Sequence, residues 1–316
     1  MAYRGLGLSR WSGLAIQRIH RALREQSVDV VHAHLEYSSM FGAVATGLLG
    51  TSRPLFVNHV HNHPNRQYSF LHRLAGRLLA SRTDAYFVPT AGAGASVRKT
   101  FGAGVGRVEI VPNGIDPDRW QLSRTDASQS MRAGARHVVG TIARLSSQKS
   151  LHHLLQAMPA LLEAEVSTRL LIVGEGEEKS SLMAESRRLG IAPHVTFAGY
   201  RDDVDVVFSA LDVFVLPSRY EGAPIVLLEA LAAGIPVVGT IVPGIVDMIE
   251  DGETGILVPY GDPGALASAV VRLVNDGPLR DRLRTRGREL VRRRHDHETV
   301  AKRVEELYRD LCSGRA

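Results

Sequence analysis

The chain has 316 residues, 44% of them hydrophobic, and a formal net charge of +5 from 38 Lys and Arg against 33 Asp and Glu. That length suggests about two domains, and the apolar content excludes a disordered or fibrous chain. The cationic excess suits polyanionic partners such as nucleotides, phosphates or an anionic membrane surface, although arginines spread over solvated helix faces account for most of it. Cys312, the single cysteine, excludes a disulfide framework or a cysteine-built zinc site within the chain and fits a reducing compartment. Residues 1–20 mix apolar positions with Arg10, Gln17, Arg18 and His20 and do not read as a secretory signal. The longest apolar stretch, 227–242, contains Glu229 and Pro236 and falls short of a spanning helix. A soluble, cytoplasmic protein is expected. Nucleic acid is not expected as a partner, because no basic motif is interleaved with aromatics and no Cys/His finger spacing occurs.

Taken in chain order, short β-branched runs alternate with longer amphipathic stretches, the pattern of βα units around a parallel sheet. Strands are predicted at 28–32, 55–59, 85–89 and 107–111, with helices at 13–26, 39–49, 68–81 and 94–101. Residues 122–136 are dominated by Ser, Thr, Asp, Gln, Arg and Gly and read as a linker. The alternation restarts with strands at 137–142, 169–173, 194–197, 213–216, 236–239 and 255–258, each followed by a helical stretch. A final helix over 298–311 aligns Val300, Val304, Leu307, Tyr308 and Leu311 on one face. The expected organisation is a first α/β domain over 1–122, a linker over 123–136, a six-strand doubly wound domain over 137–294, and a terminal helix over 295–316 that packs back on the first domain. The first domain opens on a helix although doubly wound halves normally begin with a strand, so it is expected to lack its first strands.

The most informative segment runs Pro217-Ser-Arg-Tyr-Glu-Gly-Ala-Pro-Ile-Val-Leu-Leu-Glu-Ala-Leu-Ala-Ala-Gly-Ile-Pro-Val-Val238. It leaves a strand, turns at Gly222, and has Pro224 where a helix can start. A helix amino terminus at a strand's carboxyl edge is where open α/β sheets bind ligands, and its free N–H groups favour phosphate. Glu221 lies in the turn, whereas Glu229 lies about one and a half turns into the helix at ~3.6 residues per turn, amid Leu227, Leu228, Ala230 and Leu231. Alone, Glu229 would read as a residue on a solvated stripe.

The Glu221 to Glu229 spacing, the following Ala-Gly-Ile-Pro-Val-Val and then Gly252-Glu-Thr-Gly-Ile-Leu-Val-Pro resemble the retaining GT-B glycosyltransferases, in particular their family 4. Further matches fall in the family's order: Ile110-Val-Pro-Asn-Gly-Ile-Asp116, Gly140-Thr-Ile-Ala-Arg-Leu-Ser-Ser-Gln-Lys149, Ile172-Val-Gly-Glu-Gly176, Val195-Thr-Phe-Ala-Gly199, and Asp212 ahead of Pro217-Ser218. The resemblance covers the second domain and most of the first. It implies two doubly wound Rossmann-like domains facing a cleft and transfer of a hexose from a nucleoside diphosphate sugar, such as a UDP-sugar. No cofactor is obligatory. By this resemblance Arg144 and Lys149 hold the diphosphate as the leaving nucleotide gains charge, and Glu229 accepts from the ribose hydroxyls. Glu221, with the backbone of Gly222 and Ala223, binds the transferred sugar, and the helix that starts after Pro224 with Ile225 faces the diphosphate. Gly174 joins the donor-binding set. Glu221 need not be a nucleophile, because these acids are not the flanking carboxylate pair of hydrolases; the leaving diphosphate helps deprotonate the acceptor on the same face.

His32 and His34 end one strand, and His59, His61 and His63 follow at the end of the next. Metal ligands, catalytic or sugar-binding groups, and polar residues at the mouth of a cleft are competing readings; with no acid beside them in a ligand pattern, no metal site is expected. In the resembling family a histidine after this strand approaches the donor sugar, and His61 is the match, with His59 the alternative. His152, His153, His295 and His297 read as surface residues. Gly174-Glu-Gly176 lacks the third glycine of a dinucleotide fingerprint, and Gly102-Ala-Gly-Val-Gly106 reads as a turn.

The sequence departs from the family in two places. Pro243-Gly244 and Asp247 stand where a Gly-Gly pair and a glutamate are usual, and Pro243 removes a backbone donor near the diphosphate. The family's first strand and glycine-rich loop have no counterpart before Gly13. The leading expectation is a retaining glycosyltransferase acting on a saccharide, lipid or small-molecule acceptor; the alternatives are a truncated, non-catalytic nucleotide-sugar-binding or regulatory protein and, less favoured, a sugar-nucleotide epimerase. Trp11, Leu14, Ile16, Ile19 and Leu23 with Arg10, Arg18, Arg21 and Arg24 form either a basic amphipathic face for peripheral contact with the inner face of a membrane or a core helix.

Overall fold

A computed structural model describes residues 14–61, 63–64, 68–164 and 167–314. The chain divides into two compact units, residues 1–112 with 300–316 and residues 113–299. Of the basic amphipathic face read at the amino terminus, Arg10 and Trp11 lie outside the described residues. Among the described residues no helix is long and apolar enough to cross a membrane.

The first unit contains α1 (Leu14–Glu25), β1 (Val30–His34), α2 (Glu36–Gly47), β2 (Leu55–His59), α3 (Phe70–Leu79), β3 (Ala85–Val88), α4 (Ala91–Phe101) and β4 (Arg107–Ile110). Its strands form a parallel sheet in the order β1-β2-β3-β4. The central strands are apolar runs covered on both faces, as parallel strands require. On one face Leu55, Val57, Ala85 and Phe87 pack with Leu307 and Leu311 of the terminal helix α12 (His297–Ser313). On the other, Tyr86 and Val88 pack with Ala93, Val97 and Phe101. The first strand lies two residues later than its predicted place, because its pairing with β2 runs from Val30↔Leu55 to His34↔His59. That register carries His34 into the sheet.

The second unit contains α5 (Asp126–Arg132), β5 (His137–Ile142), α6 (Leu151–Ala164), β6 (Thr168–Val173), α7 (Lys179–Arg188), β7 (Val195–Gly199), α8 (Val204–Ala210), β8 (Val213–Leu216), α9 (Ile225–Ala233), β9 (Val237–Thr240), β10 (Ile256–Val258), α10 (Pro263–Asn275) and α11 (Gly277–Arg294). All six strands are parallel, in the order β10-β9-β8-β5-β6-β7. The chain winds outward from β5 to β7 and returns to β8 on the other side of β5. The direction of winding therefore reverses between β5 and β8, which is the place in an open sheet where loops part and a ligand fits.

The stretch read as a linker is instead partly a helix of the second unit. Thr125 and Ser128 form a reciprocal capping box at the start of α5. At its end Arg132, 5% exposed, donates to Asp212 Oδ2 at 2.7 Å and to the carbonyls of Ala210 at 2.8 Å and Arg136 at 2.7 Å. Asp212 also accepts from the Val138 N–H at 2.8 Å, at the start of β5. Polar residues in this run are consumed by caps and a buried ion pair, so composition alone mistakes them for solvated chain. The compact units divide at 112/113 and 299/300. His295, read as a surface residue, is 8% exposed and pairs through Nδ1 with the Asn113 carbonyl at 2.9 Å.

Removing one member of a buried ion pair leaves its partner desolvated, which costs about 3–5 kcal/mol. Arg132→Ala is therefore expected to destabilise the second unit by about 3 kcal/mol, read as a lower urea midpoint at unchanged slope, whereas Arg124→Ala, whose partner contact with Asp212 is on the surface, should change it by less than about 1 kcal/mol.

Candidate functional site

The loops that follow β5 and β8 flank the reversal point. They are held to each other by three contacts: the Arg219 N–H donates to the Gln148 carbonyl at 2.8 Å, Gln148 Nε2 to the Tyr220 carbonyl at 3.0 Å, and Lys149 Nζ to Glu221 Oε1 at 2.6 Å. Glu221 is 4% exposed. Its Oε1 also accepts from the Ser218 hydroxyl at 2.5 Å, and its Oε2 faces Gln148 Nε2 at 3.5 Å. A charged pair at this depth persists only when its remaining lone pairs are used; Ser218 and Gln148 use them. Thr240, at the end of β9, donates to the Ser218 carbonyl at 2.6 Å and fixes the loop from the other side.

Glycines set how closely these loops approach. At Gly244 (φ +87°) an added Cβ would lie 2.4 Å from the Glu221 carbonyl oxygen and 2.6 Å from that of Gly222. Only glycine fits there, so the departure to Pro243-Gly244 keeps the glycine that the contact needs. Gly174 (φ +130°) is tighter: its Cβ would meet the Ala143 carbonyl oxygen at 1.9 Å. Gly174 thus clamps the backbone beside Arg144, and the Leu145 N–H donates to the Glu175 carbonyl at 2.9 Å. The Arg144 side chain itself is exposed and pairs with Glu177 at 3.1 Å. The structure therefore brings Lys149, Glu221, Gly222 and Ala223 together, and leaves Arg144 beside the loop on a surface ion pair.

Pro224 occupies the N-cap of α9, and no side chain caps that terminus. Its first N–H groups, beginning with the exposed Ile225, stand free at the carboxyl end of β8 and carry the positive end of the helix dipole. Asn113 Nδ2 donates to the Ala223 carbonyl at 2.9 Å and steadies the turn. Farther along α9, Glu229 is half-buried between Leu228 and Ala230; burial raises its carboxyl above the ordinary value, with the charge of Arg119 opposing. Ser218, Gln148, Asn113 and Gly244 were not assigned from sequence. Ser218 and Asn113 lie inside the recognised motifs, but their partners are 3 and 110 residues away along the chain, and only the longer separation is invisible to spacing.

In the first unit His61 falls in a group of four histidines. His34 Nδ1 and His61 Nε2 lie 2.9 Å apart, and His59 stacks on His61 with ring centroids 4.1 Å apart. Burial, then neighbouring imidazoles, lower His32 to about 4 and His59 to about 2. All are neutral near pH 7.

Fold and site together define a GT-B architecture of two Rossmann-like units. The chain belongs to the glycosyl transferases group 1 family, whose model matches residues 123–290; a glycosyltransferase family 4 model matches residues 2–119. Among curated relatives, a phosphatidyl-myo-inositol mannosyltransferase of Mycobacterium leprae is 36% identical over 64% of this chain and 54% of its own length. A glycogen synthase of Mycobacterium tuberculosis is 28% identical over 73% of this chain and 55% of its own length. The chain thus spans about half the length of these relatives. Among solved structures, Anabaena Alr3699/HepE in complex with UDP superposes with a TM-score of 0.85 at 22% identity, covering 93% of this chain and 82% of that one.

An acid whose folded pKa lies above its unfolded value binds more protons when folded, so stability falls as pH rises through that interval and stays lower at neutral pH. Glu229→Gln is therefore expected to raise the thermal midpoint at pH 7, with the gain vanishing below about pH 4.5, the carboxyl's ordinary value. A calorimetric pH series checks this.

Proposed function

We propose that the chain is a retaining glycosyltransferase that moves a hexose from a nucleoside diphosphate sugar, a UDP-sugar in the first instance, to a hydroxyl acceptor. The observation that carries this reading is the Lys149–Glu221 pair at the reversal point of the second sheet, next to the uncapped amino terminus of α9. Anabaena Alr3699/HepE has been solved in complex with UDP and with UDP-glucose, which supports the donor class.

In this reading the free N–H groups at Ile225 and the Lys149 ammonium take the diphosphate, and Arg144 leaves Glu177 to add a second cation. Such donors are most effective where charge develops, here on the leaving diphosphate. Glu229 accepts from the ribose hydroxyls. Glu221, with the N–H groups of Gly222 and Ala223, receives the hydroxyls of the sugar. The bond between the anomeric carbon and the diphosphate oxygen breaks. The acceptor oxygen forms its bond on the same face, and its proton passes to the departing diphosphate. The transfer needs no obligatory cofactor.

The acceptor class is a saccharide, a lipid or a small polyhydroxylated molecule, in line with the relatives' names. Peripheral contact with an anionic membrane is carried by α1, where Arg18, Arg21 and Arg24 accompany Leu14, Ile16, Ile19 and Leu23. The relatives, named as a glycogen synthase and a mannosyltransferase, favour an enzyme over a non-catalytic binder.

The test is nucleoside diphosphate release by the purified chain across UDP-, GDP- and ADP-sugars, with the anomeric configuration of the product read by NMR. One donor should support release, with retention. Lys149→Ala and Glu221→Gln, shown folded by circular dichroism, should each lower kcat/KM by about 100-fold or more. Absence of release from the folded chain that binds the nucleotide, release insensitive to both substitutions, or an inverted product overturns the reading.

A further inference from the structure

The parallel register of β1 and β2 places His34 directly opposite His59, and the two-residue periodicity of strands puts His32 on the same face. Each of His32, His34 and His59 offers a ring nitrogen, and these atoms all lie within 4.8 Å of one another. His61 continues the group through its 2.9 Å contact with His34. This face of the sheet is the one covered by α12, and Tyr308 of that helix meets His32 Nδ1 with its hydroxyl.

Among the described residues, three buried nitrogens in the group find no hydrogen-bond partner: His32 Nε2 and both ring nitrogens of His59, a residue 8% exposed. Buried polar groups are nearly always paired, and an orphaned one asks for an explanation. In the tautomer in which His32 Nδ1–H donates to the Tyr308 hydroxyl, His32 Nε2 presents a lone pair. An arrangement of bare imidazole nitrogens, with the second nitrogen of one ligand held by a hydroxyl, is how proteins present histidines to a metal.

We propose that His32, His34 and His59 form a binding site for a borderline transition-metal ion, zinc in the first instance, with His61 at its fourth position. Nitrogen-only ligands without thiolate or carboxylate select zinc, copper or nickel over magnesium, calcium or manganese. Tetrahedral zinc with bonds of about 2.0–2.1 Å brings its ligand atoms to about 3.3 Å from one another. Side-chain rotations that draw the 4.8 Å group together by about 1.5 Å complete the site. His34 is exposed and gives the ion its entry. Sequence spacing alone argued against a metal here because no acid stands nearby; the strand register supplies what spacing did not show. The ion ties the carboxyl ends of β1 and β2 together and, through Tyr308, ties them to α12. The inference does not rest on the glycosyl-transfer reading.

The test is titration of the chelator-treated full chain with Zn2+ against a competing chromophoric chelator, and with Co2+ followed by visible absorption. One tight equivalent is expected, with the intense absorption of tetrahedral Co2+ and a higher thermal midpoint for the zinc-loaded chain. His59→Ala and the exposed-site variant His34→Ala should each weaken zinc binding by more than about 100-fold, and Tyr308→Phe by about 10–100-fold. A variant with both His152→Ala and His153→Ala, whose rings also lie side by side, should bind as the parent does. The proposal is overturned if the folded parent chain holds no tight equivalent, if tight binding survives His34→Ala, or if only the His152 and His153 substitutions abolish it. None of these readouts involves glycosyl transfer, so they stand apart from the outcome of that assay.

Discussion

The second unit is organised around the buried contact between Lys149 and Glu221. Two loops from strands β5 and β8 meet there because the winding of the sheet reverses between them. A desolvated ion pair is costly unless its hydrogen-bonding capacity is filled, and the surrounding chain fills it. Ser218 and Gln148 bind the carboxylate, Thr240 holds the Ser218 carbonyl, and Gly244 lets the backbone after β9 come within contact of Glu221 and Gly222. Several features that look independent in sequence, a serine in one motif, a glutamine in another and a glycine in a third, serve one electrostatic arrangement.

The same constraint explains the division of labour among the cations. Lys149 is nearly enclosed and its ammonium is held in place by Glu221. Arg144 is on a loop whose backbone is clamped by Gly174 and Gly176, while its guanidinium rests on Glu177 at the surface. One cation of this loop is thus enclosed and the other lies at the surface. Glu229 completes the contrast: its burial disfavours the charged form, a cost in stability that a ribose contact would offset.

The first unit holds a different kind of polar interior. Its histidines are gathered by strand pairing and kept neutral by burial and by one another. Among the described residues neither acid nor thiol joins them, and Tyr308 reaches them because α12 returns to the first unit from Val300 onward. Here the chemistry is set by what is missing, since buried imidazole nitrogens without partners have affinity to spare.

By itself the sequence determined the βα alternation, the six strands of the second unit and the ordered motifs from Ile110 to Pro259, because hydrophobic period, glycine and proline are local signals. It also marked Lys149, Glu221 and Glu229, since a lysine among four and acids at a fixed spacing stand out in composition and spacing. Tertiary structure decided the rest. Residues 126–132 became a helix bound by Arg132 to an aspartate 80 positions away, which no local window contains. His295 became buried through Asn113, 182 positions away. The histidines became one group because a two-residue displacement of β1 placed His34 opposite His59. In each instance the deciding contact links segments far apart in the chain, and its energy comes from satisfying a buried polar group, a demand that exists only once the core has closed around it.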